Sequence, residues 1–79
     1  MARLINMRTH ELVKAELRIA GSSLAQVGRE LGISHASVGS ACAGYSRSRR
    51  VEEAIASKLL KRPEEIWPER YPTMERGER

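Results

Sequence analysis

The sequence predicts an all-α fold, a compact bundle of five short helices with no strands, and three observations predict it. Apolar residues recur at helical spacing, as in Leu24, Val27 and Leu31 and again in Val51, Ile55 and Leu59. Hydroxyl side chains that can cap a helix start (Thr9, Ser23, Ser34, Ser48) stand just before the periodic stretches. Gly21, Gly32 and Gly44 stand where such stretches must stop.

Seventy-nine residues allow one domain, near the lower size limit for a self-sufficient core. A single cysteine excludes an internal disulfide. His10 and His35 with Cys42 cannot supply a four-ligand structural zinc site of the usual spacing, so no metal or cofactor is expected. The core must then come from helix packing alone. No apolar run approaches the length of a membrane span or a signal-peptide core, which gives the expectation of a soluble, cytoplasmic chain. The formal net charge of +4 favours a polyanionic partner. Its distribution says more: from Leu31 to Val51 there is no acid, while Arg47, Arg49 and Arg50 fall in that stretch.

Residues 1–8 read as a partly ordered arm. Leu4, Ile5 and Met7 are able to pack there, and Arg3 or Arg8 could touch a phosphate unless the arm is a frayed terminus. The domain proper is expected over 9–71. Thr9 caps a first helix over 10–20 whose inward residues are Leu12, Val13, Leu17 and Ala20, with His10 a surface residue at its start. Ser23 and Gln26 form a capping box, which starts a second helix over 24–31. Gly28 beside its apolar stripe lets another helix cross closely, and Gly32 turns the chain. Ser34 then caps a third helix over 35–43, with Ile33 and Val38 as a hydrophobic staple that fixes its departure angle.

At about 100° per residue, with Val38, Ala41 and Cys42 inward, Ala36, Ser40 and Ala43 point away from the core and His35 and Gly39 lie on the flank. Cys42 reads as a small buried hydrophobe. The basic connector over 44–50 leads from Gly44 to Ser48, the cap of a fourth helix over 51–60 with a core stripe of Val51, Ile55 and Leu59, widened by Ala56 and Leu60. Glu52 and Glu53 favour that helix's amino end. Pro63 opens a short fifth helix, Pro68 ends it, and Ile66 and Trp67 close the core. The tail over 72–79 is polar and expected to be disordered.

The pair of helices joined at Gly32 is the helix-turn-helix arrangement, in which the second helix enters the DNA major groove. Stripe, close-crossing glycine and turn glycine are independent requirements, and all three coincide here. The expected partner is double-stranded DNA, with no small-molecule substrate. Base-facing residues are expected at Ser34, His35, Ala36, Gly39, Ser40 and Ala43. Ser40 can donate or accept, and Ala36 or Ala43 can meet a thymine methyl. His35 either donates to guanine or a phosphate, or is a plain exposed residue. Phosphate contacts are expected from Ser37, Tyr45, Arg47, Arg49 and Arg50, and from Gln26 unless it is simply a surface polar residue. So little hydrogen-bonding equipment on the third helix places part of the selectivity in DNA shape.

The residues SLAQVGRELGISHASVGSACAG followed by IASKLLKRPEEIWPERY resemble the Ner family of transposable-phage DNA-binding regulators and their bacterial Ner-like relatives, over roughly 9–71. The most specific part is the carboxyl-terminal run Ile55-Ala56, Leu59-Leu60, Pro63 to Pro68 and Arg70-Tyr71. The resemblance implies a lambda-repressor-like fold and a repressor acting at phage early promoters. It also assigns Ser34, His35, Ser37 and Ser40 to DNA-contacting positions. The loop GYSRSRR departs from the pattern in being richer in arginine, which implies heavier phosphate contacts here.

Two other function classes compete. A helical protein-interaction module, such as an antitoxin or adaptor, needs an exposed apolar stripe, and none is expected outside the core faces. An enzyme would need a strand before its nucleophile and partner groups. Gly32-Ile33-Ser34-His35-Ala36 and Gly44 to Ser48 only faintly resemble a nucleophile elbow, and the chain has no Asp, so no catalytic residue is expected. The expected state is a monomer in solution that pairs on adjacent half-sites of DNA.

Overall fold

The computed structural model of the chain describes residues 5–71. Five helices follow in order: α1 Met7–Ile19, α2 Leu24–Leu31, α3 His35–Ala43, α4 Arg49–Leu59 and α5 Pro63–Ile66, with a single 3₁₀ turn Pro68–Arg70 behind them. Among the described residues there is no strand. The expected roles of Arg3 and Leu4 and the disordered tail over 72–79 lie outside the described residues.

Four of the five starts are set by a side-chain cap. Asn6 accepts from the Thr9 N–H at 3.1 Å, so α1 begins three residues before the expected position and Thr9 lies inside its first turn. An amide side chain caps as well as a hydroxyl, and Asn6 comes first along the chain. The serine caps fall where expected: Ser23 accepts from Gln26, Ser34 from Ser37 and Ser48 from Val51. The Ser23 box is only half formed, because the Gln26 amide turns to Glu30 at 2.9 Å. With Ser48 as N-cap, α4 begins at Arg49, so the last two connector arginines belong to a helix.

The core is a cluster of Val13, Leu17, Leu24, Val27, Val38, Ala41, Cys42, Val51, Ile55 and Trp67. Burial of Cys42 pushes its thiol up to about 11, so it packs as a neutral hydrophobe as expected. Three expected core positions are corrected. Leu12 is exposed because it sits about 100° or more round α1 from the buried Val13 and Leu17, and Ala20 is exposed because α1 ends at Ile19 and leaves it as the C-cap. Leu60 is 91% exposed because α4 stops at Leu59 and its next residue turns outward as the C-cap.

Gly32 takes φ +74° and ends α2 in the left-handed region. Gly28 is fixed by space. A Cβ built there would stand 2.8 Å from the Ile33 carbonyl oxygen and 3.4 Å from Val38 Cγ2. The contact is with backbone of the turn, which has little room to give. Gly28→Ala is therefore expected to destabilise the fold by about 1–3 kcal/mol, read as a lowered midpoint in urea unfolding.

Candidate nucleic-acid interface

The α3 helix is held rigidly from behind. The last four carbonyls of any helix lack intrahelical partners, and here each has one. The Ser40 carbonyl accepts from the N–H groups of Gly44, Tyr45 and Ser46 as the chain turns away, with Gly44 left-handed at φ +105°. The Ala41 carbonyl accepts from Arg70 Nη1 at 2.9 Å. The Cys42 carbonyl accepts from Arg70 Nη2 at 3.0 Å and from Trp67 Nε1 at 3.2 Å. The Ala43 carbonyl accepts from the Asn6 N–H at 3.0 Å. A buried guanidinium at this end also complements the negative pole of the helix.

Arg70 is held in turn by Glu52, whose Oε2 lies 3.1 Å from Arg70 Nη1. Both side chains are fully buried. Tyr71 donates its phenol to Glu52 Oε1, and Arg47 Nε donates to Glu52 Oε2 at 3.1 Å. Burial and this hydrogen bond raise the Tyr71 pKa. The guanidiniums of Arg47 and Arg49 lie 5.7 and 5.6 Å from the centroid of the Tyr71 ring, within cation–π range. The expectation that Glu52 merely favours the amino end of α4 is thus corrected: it is the buried acceptor that joins α4, the carboxyl-terminal turn and the connector.

The opposite side of α3 is bare. Ser34, His35, Ala36 and Ser37 are exposed, and Gly39 and Ser40 are half-buried. Ser34 and Ser37 hydroxyls pair at 3.0 Å, and Ser40 pairs with Ser46 at 3.1 Å. A Cβ built on Gly39 would meet nothing within 4 Å. Ala43 is the expected base-facing residue that faces elsewhere: it is only 3% exposed, because the start of α1 crosses the end of α3 there. A groove runs along each side of this bare face. One is lined by Ile33, Ser37, Ser46 and Ser48, the other by Met7, His10, Lys14, Gly39 and Tyr45.

The expected phosphate-contacting residues are scattered around that face, and most already hold a partner. Arg47 meets Glu52, Arg49 Nε meets Glu53 at 2.9 Å, and Arg50 Nη2 donates to the Leu31 carbonyl at 2.9 Å. Each of these three residues is exposed. One of five guanidinium donors is used in each of these bonds, so donors remain for a second acceptor. Tyr45 is 65% exposed. Gln26 bridges Arg29 and Glu30 along its own helix, on the surface.

Lys14 was not expected at this face, yet it lines the same groove as His35, Ala36 and Gly39. With Arg18 it also lines the adjoining cleft beside Ser22 and Ser23 at the start of α2. The signal was present in the sequence as the spacing His10, Lys14, Arg18 at i, i+4 and i+8. His10 adds no charge at neutral pH, since burial and then the neighbouring Lys14 lower its pKa.

A family model described as winged helix-turn-helix DNA-binding matches residues 7–79, all but the first six. The chain belongs to the winged helix-turn-helix DNA-binding family. This membership makes the chain a DNA-binding protein in class. The all-helical residues 5–71 of this family member contain no strand that would form a wing. Comparison with curated proteins and with solved structures gives no match. Among the described residues no helix is long and apolar enough to cross a membrane.

Proposed function

We propose that this winged helix-turn-helix protein is a sequence-specific transcriptional repressor of the Ner type, acting at phage early promoters. In this reading α3 enters the major groove, and Ser34, His35, Ala36, Gly39 and Ser40 meet base edges. Ser37, Tyr45, Arg47, Arg49 and Arg50 meet phosphates on one strand, and Lys14 meets those on the other. Gln26 stays at the margin, its amide already engaged. Ala43 has no part in base contact. The observation that carries the reading is the bare face of α3: small side chains on a helix pinned at its far end, with Lys14 lining one flanking groove and exposed Arg47, Arg49 and Arg50 on the connector and the start of α4.

Small side chains allow close approach but supply few donors, so phosphate contacts carry most of the affinity and DNA deformability part of the selectivity. A DNA partner places the working site on the nucleoid of the host cell. The test begins with selection of bound duplexes from a random library, followed by titration of the enriched duplex at several salt concentrations. Log K is expected to fall by about 0.9 per phosphate contact for each decade of salt. Lys14→Ala, Arg47→Ala, Arg49→Ala and Arg50→Ala are each expected to reduce that slope by about one unit. Failure to enrich any sequence removes the sequence-specific reading, and unchanged slopes in all four variants remove the flanking cations from the interface. A reporter under the promoter that carries the enriched site is expected to lose expression when the chain is supplied.

A further inference from the structure

Among the described residues five large hydrophobic side chains are exposed: Met7, Leu12, Ile19, Tyr45 and Leu60. Met7 and Tyr45 belong to the groove beside α3. The other three answer to nothing in the DNA-reading surface, and they correct the expectation that no apolar stripe lies outside the core. Leu12, Glu16 and Ile19 share one face of α1 at i, i+4 and i+7. Ile19, 86% exposed, and Leu60, 91% exposed, line one shallow groove with Ala20 and Leu59. None of these residues lines a groove beside α3.

Leu60 is the unusual member. It holds φ +58°, the one non-glycine residue at positive φ among those described. Glycine is the residue that adopts this cap without steric cost. A β-carbon here strains the backbone, and the side chain gains no burial within its own chain in return. The rim of the groove is divided by sign. Glu16 stands on the α1 edge, Lys58 and Lys61 on the α4 edge, and Lys61 Nζ spans to Glu16 at 3.6 Å. A partner of single charge sign would match only one edge. A second copy turned by 180° lays its acidic edge on the basic edge of the first, twice, with the apolar residues between.

We propose that Leu60, Ile19 and Leu12 form the surface through which two copies of this chain associate, with Glu16 of each copy facing Lys58 and Lys61 of the other. The patch is small, so the association is weak in solution and becomes effective where two copies are held close together. This proposal does not depend on the DNA reading, and its test uses no DNA.

Sedimentation equilibrium of the full chain is expected to show an average mass that rises from monomer towards dimer as concentration climbs into the millimolar range. Leu60→Gly is the decisive variant, since it relieves the backbone strain while deleting the apolar contact. It is expected to remain monomeric over the same range, with a thermal midpoint held or raised by a few degrees. Ile19→Ser is expected to be monomeric and folded as well. Glu16→Lys weakens association at least tenfold, and Lys61→Glu added to it restores the wild-type mass profile. A wild-type chain that stays monomeric throughout overturns the proposal, as does a Leu60→Gly chain that associates like the wild type.

Discussion

Glu52→Ala is expected to leave the chain largely unfolded at room temperature. Glu52 is fully buried, and its two oxygens receive Arg70, Arg47 and Tyr71. Removing one partner of a buried ion pair costs about 3–5 kcal/mol, because the other charge stays desolvated and uncompensated. A domain of this size holds only about that much in reserve. Arg70 would keep the Ala41 and Cys42 carbonyls as acceptors, which hydrogen-bond it without cancelling its charge. Glu52→Gln keeps the shape and one acceptor oxygen, so it is expected to fold, with a urea midpoint below that of wild type, where Glu52→Ala shows no folded baseline. Far-ultraviolet circular dichroism through a urea titration measures both. Equal midpoints for Glu52→Ala and wild type would show that the cluster contributes nothing.

The same cluster marks where sequence reading stops. The helix starts at Ser23, Ser34 and Ser48 were legible, because a cap acts between neighbours three residues apart and leaves a local pattern. The turn was legible for the same reason, through Gly28 and Gly32. Asn6 as a cap was legible in principle but was overshadowed by Thr9. Nothing local indicates that Glu52, in the first turn of α4, is fully buried rather than solvated at a helix start. Two of its three partners, Arg70 and Tyr71, stand 18 and 19 residues further on, and their meeting with it depends on how α5 and the 3₁₀ turn fold back. Trp67, Pro68, Arg70 and Tyr71 belong to the most specific part of the resemblance, which runs from Ile55 to Tyr71, but their physical purpose was not legible. That purpose is to close the carbonyl end of α3. The acid-free stretch from Leu31 to Val51 likewise overstated the free charge of the connector, because Glu52 and Glu53 lie just beyond it and take up Arg47 and Arg49. Ala43 was misplaced because helical periodicity gives an angle about one axis. It cannot show that the start of α1 covers that angle.

Gly39→Leu is expected to abolish sequence-specific DNA binding while leaving the fold at least as stable as before. The position is in the interior of α3 on its bare face, and a Cβ added there meets nothing within 4 Å. Glycine within a helix costs about 0.8–1 kcal/mol relative to a good helix former, so the substitution is expected to raise the unfolding midpoint slightly. If α3 lies against base edges, the same side chain occupies space that the bases require. Affinity for the selected duplex is then expected to drop to the non-specific level, a loss of about a thousandfold or more. The residual binding should keep its dependence on salt, since the substitution leaves untouched the phosphate contacts proposed for Lys14, Arg47, Arg49 and Arg50. Gel-shift titration against the selected duplex and a scrambled one, together with thermal unfolding of the free variant, separates these effects. A stable Gly39→Leu chain that still distinguishes the two duplexes would place base reading on some element other than α3. A chain that loses both specific and salt-dependent binding would mean instead that the leucine lifts the whole domain off the strands, and that the grooves beside α3 grip phosphate only when the helix is fully seated.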